Sequence, residues 1–198
     1  FSNTPASILY PVLSYYRASC QPNNGQTLRI SDIRVRSYTT GYNASASVGA
    51  ETSLSCIDTW LGNTTQWTAP TNWSGNFVPN SCSHNVVIPS APVGGLFPTI
   101  GLTAIQVGDL SVQDGATITV NNNALSVCGN INAGSSANAV ITGNAAGSLV
   151  LNGSGNQQLS GKLQVNTLHL NNGAGATMQA GAAYDVMTAV ELENGVLN

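Results

Sequence analysis

The side chains that could do chemistry in this 198-residue chain are few and far apart. Its carboxylates are Asp32, Glu51, Asp58, Asp109, Asp114, Asp185, Glu191 and Glu193, and its histidines are His84 and His169. A glycosidase needs two carboxyls facing each other across the scissile bond, one as acid and one as base or nucleophile. Asp109 and Asp114 bracket a short apolar stretch and so fall at opposite ends of one strand, while Glu191 and Glu193 alternate along another and share its solvent face. A lyase acting on uronates needs Lys or Arg to take the proton and neutralise the acid, and after Arg36 the sequence has one cation, Lys162. Neither histidine has a Cys or Ser at a spacing that implies a nucleophile and its base, and His169 reads as a solvent-facing residue of a strand. Calcium held by Asp109, Asp114 and loop carbonyls is the one cofactor the pattern admits, without the glycine- and aspartate-rich run that calcium-binding solenoids use. No catalytic, cofactor-binding or metal-ligating residue is assigned, and the chain reads as a non-enzyme.

The cysteines, Cys20, Cys56, Cys82 and Cys128, contain no Cys-x-x-Cys pair and no histidine at zinc-ligand spacing. An even number in a chain rich in Asn, Ser and Thr suits an oxidising compartment. Of the three connectivities, Cys20–Cys56 with Cys82–Cys128 keeps each bridge within one region. Four of the five basic residues (Arg17, Arg29, Arg34, Arg36) cluster near the N-terminus, but a net charge of −3 gives no electrostatic footprint for nucleic acid. No apolar run approaches the ~20 residues of a transmembrane helix.

What must position these groups follows from composition. Charged residues make up 7% of the chain, against roughly 25% in an average soluble domain. Helical surfaces are usually solvated by Lys, Glu and Arg, and Asn, Gly, Ser and Thr are mediocre or poor helix formers, so short β-strands joined by turns remain. Residues 1–58 read as a small sandwich-like β region whose tyrosines (Tyr10, Tyr15, Tyr16, Tyr38, Tyr42) offer a candidate sugar-binding face. Residues 59–100 hold all three tryptophans, Trp60, Trp67 and Trp73, and five prolines, Pro79 among them. Indole buries a large apolar area and needs a partner for its N–H, so this segment is expected to be a buried aromatic cap with an extended, non-helical path.

Residues 101–198 repeat. Leu110-Ser-Val112-Gln-Asp114-Gly115, Leu149-Val-Leu151-Asn-Gly153, Leu168-His-Leu170-Asn-Asn172-Gly173 and Val190-Glu-Leu192-Glu-Asn194-Gly195, with a fragment at Asn130-Ile131, place two apolar residues around one outward residue and then an Asx-Gly step. Copies begin near 110, 130, 149, 168 and 190. A unit this short cannot bury its own apolar side chains, whereas stacked units can, which predicts a parallel β-solenoid with coils of about 20 residues. Leu110, Ile131, Leu149, Leu168 and Val190 are expected to form one inner ladder, with Val112, Leu151, Leu170 and Leu192 beside it. The Asx-Gly steps are expected to supply positive-φ corners. Asp185 and Glu191 then lie about four coils from Asp109. The last unit breaks off mid-repeat, so the solenoid is expected to be truncated there, with an edge that takes a continuing chain or a partner.

Thr59-Trp60-x-Gly62, Trp67, Asn72-Trp73-Ser74-Gly75, Val78-Pro79 and Asn85-Val86-x-Ile88-Pro89 resemble a motif of large type IX-secreted and gliding-associated adhesin-like surface proteins of Bacteroidota. Where that family usually has Asp before Asn-Val-x-Ile-Pro, this chain has Ser83-His84 after Cys82. The resemblance covers 59–100 and extends to the repeats, and it implies a secreted, extracellular, surface-attached adhesin or filament-like protein whose solenoid acts as a rigid spacer. A carbohydrate-binding module using tyrosines or exposed tryptophans, and the non-catalytic part of a β-helical glycan-active enzyme, are the rival readings.

Overall fold

The computed structural model describes residues 56–135, 139–144 and 146–198. The expected strands of 1–55, the tyrosine face and Cys20 lie outside them.

Three short strands per coil, each parallel to its counterparts above and below, build a β-solenoid of about five turns spaced about 22 residues apart. One face stacks β1 (Cys56–Thr59), β2 (His84–Ile88), β5 (Leu110–Val112), β8 (Ile131–Ala133), β11 (Gln157–Ser160) and β13 (Ala176–Met178) in that order. A second runs from β3 (Thr99–Ile100) through β6 (Thr117–Val120) and β9 (Ala139–Gly143) to the first half of β12 (Lys162–Asn171). A third runs from β4 (Ile105–Val107) through β7 (Ala124–Val127) and β10 (Ser148–Leu151) to the second half of β12. The final strand, β14 (Ala183–Asn194), pairs along the whole of β12 and so continues both faces.

The strands alternate because each has one face inward. β4, β5, β6 and β10 all place apolar side chains inside and Ser, Thr, Gln or Val outside. In β12 the alternation breaks at Thr167 and Leu168, both buried, and the register with β14 slips between Val165 and Thr167. Two consecutive inward residues are what a chain needs to turn a corner without leaving the ladder.

The inner ladders differ from the expected ones. Leu110 pairs with Ile131 on the first face, whereas Leu149 pairs with Leu168 and Leu168 with Val190 on the third. The true ladders are Val86, Leu110, Ile131 and Leu159 on the first face, and Ile105, Leu125, Leu149, Leu168 and Val190 on the third. Every face imposes the same inward-outward-inward pattern before a corner, so identical units arise on different faces. Three coils, rather than four, separate Asp109 beside β5 from Asp185 in β14.

Corner chemistry is also divided. Gly115 and Gly195 adopt positive φ as expected, whereas Gly153 does not and in the Asn172-Gly173 unit the turn falls on Gly175. Gly161, between β11 and β12, combines φ +75° with a Cβ position 2.0 Å from the Ala133 carbonyl oxygen, so no other residue fits there. Residues 59–100 are not one winding cap: they hold a 3-10 turn at Pro70–Asn72 and the strands β2 and β3 of the first coil. Proline at the first position of that turn gives up no needed N–H.

The buried apolar side chains form one continuous cluster from Trp60 to Ala176. It is closed at one end and open at the other. Val190 and Leu192 continue the third-face ladders in β14 yet are 49% and 59% exposed.

Candidate functional site

The tryptophan segment closes the first end. Trp60, Trp67 and Trp73 are at most 1% exposed, with Trp60 and Trp73 edge-to-face at 5.0 Å and Trp67 and Trp73 at 4.7 Å. Each indole N–H donates to a carbonyl: Trp60 to Leu96 at 2.6 Å, Trp67 to Pro79 at 3.0 Å and Trp73 to Trp67 at 2.8 Å. Pro79 is buried with them. A ring that is fully buried with its polar atom engaged has no face left for a sugar, so these tryptophans offer no carbohydrate platform.

Cys82 and Cys128 form a disulfide, Cα to Cα 5.4 Å, between the segment leading into β2 and the end of β7. It ties the first coil to the second. Cys56 opens β1, and a Cys20–Cys56 bridge falls outside the described residues.

Titratable groups meet in pairs among the described residues. Among the described residues no three His, Cys, Asp or Glu side chains gather as a metal ion would need. Asp109 is spent on structure: its Oδ1 accepts the Asn130 amide at 2.7 Å and its Oδ2 the Asn85 side-chain amide at 3.3 Å. Glu191 and Glu193 are exposed on β14, and Glu193 meets His169 at 2.9 Å. Asp58 is the exception. It occupies an inner position of β1, level with Val86, is 1% exposed, and neither oxygen has a full hydrogen bond among the described residues. Burial pushes its pKa above the ordinary carboxylate value, against the opposing effects of His84 and the Gly75 amide. Burial likewise holds His84 below the usual imidazole range, with Asp58 working the other way. The His84 ring packs edge-on to Phe77 at 4.7 Å.

Sequence reasoning missed two polar ladders. At one corner Asn144 donates to Asn122 at 2.7 Å, Asn166 to the Asn144 carbonyl at 2.9 Å and Thr188 to Asn166 at 2.8 Å, each link spanning 22 residues. At another, Asn85 accepts the Asp109 amide at 2.8 Å, Asp109 the Asn130 amide, and Asn130 the Gln158 amide at 2.8 Å. These side chains replace the water a corner backbone would otherwise need. The recurrence of Asn at a period of 22 was the available signal. A third cluster carried no signal: buried Asn172 donates to Gly155, Gly175 and Gln157, and Gln157 donates to the Val127 carbonyl at 2.9 Å.

The outer side of the first face holds a groove of about 420 Å³ across the first three coils, lined by Ser90, Ser111, Gln113, Asp114, Asn132 and Gly134 among others. Its side chains are neutral apart from Asp114. Fold and surface together define a disulfide-stapled, three-faced parallel β-solenoid with an aromatic plug. Compared with family models, curated proteins and solved structures, the chain gives no match.

Proposed function

We propose that this chain is a non-enzymatic part of a secreted cell-surface protein, an adhesin or filament-like protein of the type IX-secreted kind, in which the solenoid serves as a rigid spacer. The observation that carries the reading is the uninterrupted inner ladder Ile105, Leu125, Leu149, Leu168 and Val190, flanked by parallel backbone pairing at every rung. A stack whose rungs share one core and one hydrogen-bond register cannot bend at a coil boundary without opening both. Neutral polar outer faces and side-chain ladders at the corners suit a surface that must stay wet without attracting charged partners. The Cys82–Cys128 bridge fits an oxidising, extracellular setting.

The open rung supports the same reading. Val190, Leu192, Met187 and Val196 are exposed, and among the described residues β14 pairs on one side only, with β12. A partner strand covers such an edge by parallel pairing. The test is antibody labelling of intact cells that produce the full-length protein. Labelling without permeabilisation, removable by protease added outside, is expected; labelling that appears only after permeabilisation overturns the proposal.

A further inference from the structure

β14 holds three of the chain's eight carboxylates, Asp185, Glu191 and Glu193. Asp185 and Glu191 occupy outward positions, level with Gln164 and His169 of β12, and Glu193 reaches His169 at 2.9 Å. The inward positions belong to Tyr184, Val186, Val190 and Leu192, level with Leu163, Val165, Leu168 and Leu170. Those four β12 side chains are buried, whereas Val190 and Leu192 are 49% and 59% exposed. Among the described residues β14 pairs with β12 alone. A strand laid on its other side therefore has to offer apolar residues at the inward positions and, to attract rather than repel, cations at the outward ones.

One stretch of the sequence, outside the described residues, does both. Leu28-Arg29-Ile30-Ser31-Asp32-Ile33-Arg34-Val35-Arg36 has the spacing of Leu163-Gln164-Val165-Asn166-Thr167-Leu168-His169-Leu170 in β12. Each has two apolar residues around an outward one, then two corner residues, then the first unit again. In β12 the corner falls at Asn166-Thr167, where the register with β14 slips, and Ser31-Asp32 stands at the same place in the pattern. Set on β14 in the register that β12 uses, Leu28, Ile30, Ile33 and Val35 come level with Tyr184, Val186, Val190 and Leu192. The outward residues then meet in opposite-charge pairs: Arg29 with Asp185, Arg34 with Glu191 and Arg36 with Glu193. A slip of one residue would destroy both matches, because it turns the arginines inward. Asp32 takes the Thr167 place on an end rung, whose inward side is open to water as Val190 shows.

We infer that the β14 edge takes residues 28–36 of a second copy of this chain as an added parallel strand, and that copies joined in this way form head-to-tail filaments. Main-chain hydrogen bonds along the 12-residue strand supply the attraction, and the arginine–carboxylate pairs fix register and partner. Two β14 edges facing each other would instead set carboxylates against carboxylates. The segment precedes β1, which lies at the opposite end of the stack from β13 and β14, so a copy that gives its segment to one neighbour keeps its own β14 for another. An interface of that kind is heterologous and extends without closing. A copy using its own segment would have to run it back past five rungs, about 24 Å, and would stay a monomer. The inference deepens the filament-like reading, on which it rests for its use. Self-association in solution and display on cells are read separately, so either can fail alone.

Sedimentation velocity of the 198-residue chain over a concentration series tests it, with species larger than the monomer expected to grow as concentration rises. Arg34→Glu with Arg36→Glu, and separately Glu191→Arg with Glu193→Arg, should each weaken association at least about tenfold. An equimolar mixture of the two variants should restore it, because the reversed edge of one then meets the reversed segment of the other while the remaining edge and segment are native. Should either variant fail to fold by far-UV circular dichroism, a peptide of residues 27–38 added in excess to the unaltered chain serves instead. That peptide is expected to occupy β14 and return the assembly to single copies. A chain that stays monomeric up to about 1 mM, association that both charge reversals leave intact, a mixture that stays dissociated, or assemblies untouched by the peptide each overturns the inference.

Discussion

Replacing Leu149 by Ala separates the observed ladder from every other assignment of the repeats. Leu149 is fully buried between Leu125 below and Leu168 above, in register with both. The substitution removes three carbons, worth about 0.8 kcal/mol each in transfer, or about 2.4 kcal/mol. The neighbours are held at strand spacing by their own backbone ladders and cannot collapse inward, so most of the vacated space stays open. A residual cavity of roughly 60–80 Å³ at about 24 cal/mol per Å³ adds about 1.5–2 kcal/mol. The expected loss is therefore about 4 kcal/mol, in the upper half of the usual range for Leu→Ala. Leu192→Ala, on the half-exposed final rung, should cost less than about 1 kcal/mol. Equilibrium unfolding in urea, followed by far-UV circular dichroism, reads both. A double-mutant cycle should show coupling between Leu149→Ala and Leu168→Ala, and near-additivity between Leu149→Ala and Val86→Ala, two coils away on another face. Equal losses at 149 and 192, or additivity between 149 and 168, would refute the ladder.

Three further outcomes follow from the same geometry. Cys82→Ser with Cys128→Ser opens a loop of 46-residue separation and should cost about 4 kcal/mol by the loop-entropy estimate, read by urea unfolding against the oxidised wild type. Asp58 has a folded pKa above its unfolded value because burial disfavours the charge, so the folded state binds the proton more tightly and stability falls as pH rises from below the ordinary carboxylate value to above the raised one. Asp58→Asn should flatten that fall in a pH series of melting curves, and an unchanged slope would show that the carboxyl is solvated. Asn172→Ala strands the Gly155 and Gly175 carbonyls and should cost about 1–3 kcal/mol, whereas exposed Asn171→Ala should cost less than about 0.5 kcal/mol, both read by urea unfolding.

The solenoid was legible because its two requirements leave marks in sequence: alternation within each strand, and a return of the same unit roughly every twenty residues. The face to which each unit belongs was not legible. Leu110-Ser-Val112 and Leu149-Val-Leu151 satisfy the same local rule, and only the chain length between corners, which varies from coil to coil, assigns one to the first face and the other to the third. The tryptophan plug was readable from indole's need for burial and a hydrogen-bond partner, although β2 and β3 inside that segment were hidden by its prolines. Cys82–Cys128 follows from regional proximity, and the structure forms it. Asn122, Asn144 and Asn166 repeat at a period that could have been counted. Asn172 could not have been placed inside, because burying an amide depends on carbonyls of Gly155 and Gly175 that converge only after the coils stack. The groove was equally invisible, since it joins Ser111 and Asn132 from different coils.

The outward row Gln106, Ser126, Val150, His169 and Glu191 climbs the third face one residue per coil, and it supplies the most direct test of a stiff, stacked spacer. Nitroxides attached through an unnatural amino acid at Gln106 and Glu191, leaving the native cysteines in place, report their separation and its spread by pulsed electron paramagnetic resonance. Four rungs of parallel stacking predict backbone positions about 19 Å apart, seen as one narrow distribution. A broad distribution would contradict rigidity, and a narrow one centred at a single-rung distance would contradict the stack itself.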